Sequence, residues 1–112
     1  MENLLKETTI ALKEQGKTWD DVLWVGSKDL EISVSNFKAM ANKKYNDGYG
    51  APLVPMDLVI VGDSWWLERQ EYDGAEFWQF KEQPKRPRKR GSVKTLITSG
   101  YYYLADCQGG LI

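Results

Sequence analysis

Apolar positions recur at helical spacing twice in the first 45 residues. Leu4, Leu5, Thr8, Ala11 and Leu12 fall on one side of a helix predicted over residues 2–15, with Lys6, Lys13 and Glu14 away from the centre of that stripe. Gly16 is its natural C-terminal stop. A second helix is predicted over about 34–45, capped by Ser33 or Ser35, with Val34, Phe37, Ala41 and Tyr45 on one face and Met40 at its edge. Between them Thr18 reads as an N-cap of a short turn whose Asp20 and Asp21 sit where negative charge is favoured. Val22–Ser27 and Leu30–Val34 are apolar and β-branched enough to form paired strands, with a helical turn through Trp24 as the alternative for the first.

The period then changes to two. Val59, Ile60 and Val61, inside the run Asp57–Asp63, suggest a central strand covered on both faces, with Asp63 and Ser64 as a tight turn after it. Tyr72-Asp73-Gly74-Ala75 signals a two-residue hairpin turn, because such a turn needs positive φ at both central positions. In that register Glu71 faces Glu76, Arg69 faces Trp78, Leu67 faces Phe80 and Trp65 faces Glu82. One face carries Trp65, Leu67, Trp78 and Phe80, the expected core face, where Arg69 can stack on Trp78. The other carries Trp66, Tyr72 and Phe77 among Glu68, Gln70, Gln79 and Lys81. The predicted fold is α+β: two helices on one face of a small, mostly antiparallel sheet containing the 65–82 hairpin, all within a single domain over residues 1–87. Pro84 and Pro87 end the hairpin. Residues 88–112 read as a basic linker and C-terminal segment, with a second, weaker hairpin of Val93–Thr98 and Tyr101–Cys107 turned at Ser99-Gly100, and a frayed end at 108–112.

Charge sharpens this division. Residues 1–83 hold nine Lys/Arg against fifteen Asp/Glu, whereas residues 84–112 hold six against one. The 112 residues fit one domain. Histidine is absent, which removes the commonest general base and the commonest transition-metal ligand. The single cysteine, Cys107, forms no internal disulfide and suits a reducing cytoplasm; alone, it reads as a small buried hydrophobe. No apolar run approaches a membrane span, and the N-terminus does not read as a signal peptide.

These exclusions leave little for catalysis. Gly62-Asp63-Ser64 has the look of a serine-esterase block, but its serine lacks a histidine base. Glu68, Glu71 and Glu76 offer carboxylates, yet nothing places two across a cleft. A solvated hairpin tip accounts for them, with the facing pair Glu71 and Glu76 raising one pKa or receiving a cation. Asn46–Pro52 reads as a loop without the ligand spacing of a calcium site, so no metal and no cofactor are expected. The candidate partner-binding residues are Trp66, Tyr72, Phe77, Glu68 and Glu71, since rings on both faces of a hairpin need two covers. One cover is a helix of this chain. The other is the C-terminal segment, a second copy of the chain or a foreign protein. The alternative is nucleic-acid binding through Lys85, Arg86, Arg88, Lys89, Arg90 and Lys94, with Tyr101–Tyr103 to stack on bases.

The block running from Val61-Gly62-Asp63 through "WWLER" (Trp65–Arg69) and "EYDG" (Glu71–Gly74) to "FK" (Phe80-Lys81) resembles small uncharacterised proteins encoded by phages and prophages of Gram-positive bacteria. The likeness covers roughly residues 18–87, and the tail from Arg88 departs from it. It carries no catalytic motif. It implies a bacterial cytoplasm and a non-enzymatic protein that binds a host protein, as inhibitors of defence systems such as anti-CRISPR proteins do.

Overall fold

The computed structural model describes residues 2–48, 50–97, 99–100 and 103–107. In chain order the elements are β1 (Glu2–Asn3), α1 (Leu4–Glu14), a 3-10 turn (Trp19–Asp21), β2 (Val22–Gly26), β3 (Glu31–Ile32), α2 (Val34–Ala41), β4 (Lys44–Tyr45), β5 (Val59–Gly62), β6 (Trp65–Tyr72), β7 (Ala75–Glu82) and a 3-10 turn (Leu104–Cys107). The main sheet is antiparallel in the order β3-β2-β5-β6-β7, and β1 pairs with β4 in a separate ribbon. The α+β prediction is therefore met.

The helix signals act locally. The Asn3 side chain accepts the Lys6 amide at 3.0 Å and Ser33 Oγ accepts the Asn36 amide at 3.0 Å, each satisfying a first-turn donor. Gly16 leaves α1 with φ +68°, and Thr18 and Asp21 form a reciprocal capping box around the short turn. The helices lay Leu12, Phe37 and Ala41 on Val25, Ile60, Trp65 and Leu67 of the sheet. Trp19 closes one side at 5.8 Å from the Phe37 ring, and its indole N–H donates to Thr9 Oγ1.

Two expectations are corrected. The second helix stops at Ala41, because Asn42 leaves helical backbone at ψ 65° and Lys44-Tyr45 pairs with Glu2-Asn3 instead. Tyr45 is thus on a strand rather than a helix face. β5 is central as expected, but of its three β-branched residues only Ile60 is fully buried; Val59 and Val61 are half-buried on a face that no described element covers.

The hairpin has the predicted register at every pair from Tyr72↔Ala75 to Trp65↔Glu82. Asp73 at φ 51° and Gly74 at φ 85° supply the two left-handed residues of the turn. The β5–β6 turn places Ser64 at φ 68° and folds the Trp65 indole over Gly62, where a Cβ would lie 2.0–2.3 Å from ring atoms. Gly62→Ala is expected to cost about 1–3 kcal/mol by forcing this ring out of its rotamer, read as a lowered urea midpoint with an unchanged slope.

The second hairpin does not form among the described residues. Residues 93–97 carry no strand, and Leu104–Cys107 is a 3-10 turn. Leu96 and Ile97 are exposed, so they bury nothing that would repay the order of a ladder. Thr98, Tyr101, Tyr102 and 108–112 lie outside the described residues. Cys107 is buried, as a lone apolar thiol is expected to be.

Candidate functional site

The sheet has two unlike faces, and the hairpin decides which residues go to each. On the helix side, Arg69 follows Trp65 and Leu67 inward and is 2% exposed. Its guanidinium donates to Glu7 Oε2 at 3.0 Å, Tyr45 Oη at 3.2 Å and Glu76 Oε1 at 2.8 Å, and lies 4.8 Å over the Trp78 ring. Tyr45 in turn donates to Glu7 Oε1. Glu76 also accepts the Leu53 and Val54 amides at 2.7 and 3.2 Å. Trp78 Nε1 donates at 2.8 Å to Thr8 Oγ1, which donates back to Leu4 O. One cation thereby ties α1, β4, the 46–54 loop and the hairpin together. Arg69 Nε is the sole buried side-chain polar atom without a partner among the described residues.

This network overturns the reading of Glu76 as a solvated tip residue with a raised pKa and meets its alternative, a carboxylate that receives a cation. It faces Glu71 as predicted but is only 4% exposed. Burial pushes its carboxyl up, yet the Leu53 amide, the Arg69 guanidinium and the Val54 amide together outweigh burial and hold it below the usual range. Burial, then the bond to Glu7, pushes the Tyr45 hydroxyl far up. Burial disfavours the Arg69 charge, but Tyr45, Glu76 and Glu7 more than restore it. Sequence reasoning missed Glu7 and Tyr45 because nothing local relates them to Arg69, 62 and 24 residues away.

The other face is open. Trp24, Val61, Trp66 and Lys81 stand in one cross-strand row, and Val59, Glu68 and Gln79 in the next. Beyond these come Gln70 opposite Phe77, then Tyr72 opposite Ala75. Tyr72 is 77% exposed and Phe77 40%. Glu68 sits centrally and is fully engaged, accepting Trp66 Nε1 at 2.7 Å and Gln70 Nε2 at 2.6 Å, with Lys81 Nζ at 3.8 Å. The bonds hold the Trp66 ring edge and the carboxylate in fixed positions, a preorganised surface.

Of the five predicted partner residues, Trp66, Glu68, Tyr72 and Phe77 share this face. Glu71 does not: its parity puts it with Arg69 and Glu76, and its carboxylate accepts the Gly74 amide at 3.1 Å as part of the turn. Trp24 was missed, although its alternation with Val25 was the available signal. Lys85, Arg86, Arg88, Lys89, Arg90 and Lys94 are all exposed in irregular backbone, and none forms an ion pair among the described residues. No described helix is long and apolar enough to cross a membrane. Compared with protein-family models, curated proteins and solved structures, the chain matches none.

Proposed function

We propose that this chain is a non-enzymatic interaction module of the phage accessory type, acting in the bacterial cytoplasm, that binds a bacterial host or defence protein through the open face of its sheet and inhibits or modulates it. The observation that carries this reading is the set of Trp24, Val61, Trp66, Tyr72 and Phe77, spread over four strands and uncovered by any described element. Aromatic anchors on a rigid sheet, interleaved with Gln70, Gln79 and Lys81, match the make-up of protein interfaces, where a few desolvated rings dominate affinity. The resemblance to phage accessory proteins supplies the setting.

A tagged chain incubated with a Gram-positive lysate is expected to capture a protein identifiable by mass spectrometry. Trp66→Ala with Phe77→Ala is expected to weaken that complex by about 100-fold or more, with circular dichroism unchanged. Deleting residues 84–94 is expected to leave it intact. Capture that survives the double substitution refutes docking on this face.

The basic segment, exposed and without an ion pair among the described residues, favours a second reading, an accessory factor that binds nucleic acid. Under it, affinity falls with salt at a log–log slope approaching about −5 for six neutralised phosphates, and the 84–94 deletion abolishes binding.

A further inference from the structure

We propose that the outer edge of β7 is a self-association site, at which a second copy of this chain adds its own β7 antiparallel about a two-fold axis through Phe80. β7 is the last strand of the sheet. Two hydrogen bonds show which of its backbone groups turn outward. The Glu76 amide donates away from β6, to Asp47 O at 2.9 Å, whereas the Gln83 amide donates inward, to Ser64 O at 2.7 Å. Amides alternate along a strand, so those of Trp78, Phe80 and Glu82 point outward. No other part of the chain reaches them among the described residues. The ladder to β6 runs without a bulge, and β7 contains no proline, two of the devices by which edges are usually blunted.

A two-fold through Phe80 matches all of these free groups to one another. Phe80 meets Phe80 of the second copy, Trp78 meets Glu82, and each outward N–H finds an outward carbonyl. Between them Gln79 stands opposite Lys81, so no like charges oppose. The next rung would pair Glu76 with Pro84. The Glu76 amide is already taken by Asp47, and proline has no N–H, so the ladder ends at the same point on both sides. The register thus uses the free groups and stops where they stop. Pairing also joins the two open faces into one continuous surface; of the rings assigned to partner docking it reaches only Phe77, set opposite Gln83, and its backbone ladder stands or falls apart from that reading.

Sedimentation equilibrium of the full chain from about 1 to about 500 µM tests this. The expected result is a monomer–dimer equilibrium ending at twice the 12.9 kDa chain mass. Amide exchange at Trp78 and Phe80 is expected to slow as concentration rises. Gln79→Lys places lysines opposite each other twice per dimer, and Glu82→Pro removes an edge donor without touching the β6 ladder. Each is expected to weaken dimerisation by about tenfold, with circular dichroism and melting confirming a folded chain. A chain that stays monomeric throughout, or a dimer moved by less than about threefold in both variants, overturns the proposal. The first would leave the edge to a foreign strand or to none, and the second would place self-association elsewhere.

Discussion

Arg69→Met is expected to destabilise the protein by about 3–5 kcal/mol, because it leaves carboxylates inside the fold without their cation. Methionine matches much of the arginine stem and keeps contact with Trp78, so the loss reports the guanidinium rather than packing. Glu76 would retain the Leu53 and Val54 amides but lose the 2.8 Å bond to the cation while only 4% exposed. The effect should appear as a melting temperature lowered by about 15 °C or more for a domain of this size.

The pH dependence should weaken with it. In the native protein the Glu76 carboxyl is held below its ordinary value of 4.5. A depressed folded pKa contributes stability that is complete above the unfolded value and is lost as pH falls through the folded one, so acidification below about pH 4.5 destabilises the native chain. Without the cation only the Leu53 and Val54 amides still oppose burial at Glu76, the depression of its carboxyl shrinks, and acidification costs the variant less than the native chain. Urea titrations between about pH 2 and 7 give the slope. A variant that loses stability on acidification in parallel with the native chain would show that Arg69 is not what keeps Glu76 charged.

Trp65→Ala and Trp66→Ala, one residue apart, are expected to differ by several kcal/mol. Trp65 points into the core, covers Gly62 and stacks at 5.9 Å on Phe80, with Lys17 at 5.5 Å over its ring. Its truncation leaves a large cavity and costs about 3–5 kcal/mol. Trp66 lies half-buried on the open face, and its truncation forfeits the bond to Glu68 and cross-strand contacts worth about 1 kcal/mol or less. Paired denaturant melts measure the difference. Equal costs would mean that an unrecognised cover lies over the open face, and the proposed docking surface would then be interior.

The contrast follows from the register, and the register was legible in the sequence. Asp73-Gly74 supplies the two consecutive positive φ angles that this two-residue hairpin turn requires, and the count outward from it is forced by a period of two. The same local chemistry made α1, the Thr18 turn and the start of α2 readable, since caps and apolar stripes lie within a few residues of what they stabilise. The α2 terminus was misplaced because Tyr45 continues the apolar stripe by spacing alone, while its hydroxyl is drawn to Glu7 and Arg69 by long-range contact.

For the candidate face, parity assigned Trp66, Glu68, Tyr72 and Phe77 together and, followed strictly, already separated Glu71. What the hairpin's parity does not contain is that Trp24 joins the open face from a strand 42 residues before Trp66. The sequence by itself determined the hairpin, its pairing and the sorting of its rings, because turn geometry and alternation are local constraints. The sequence also put Arg69 over Trp78, and the tertiary structure alone decided that Glu76 and Glu7 enclose its charge and that, among the described residues, β7 keeps a free edge. Burial and charge compensation depend on groups brought together across the whole chain, and no local pattern records them.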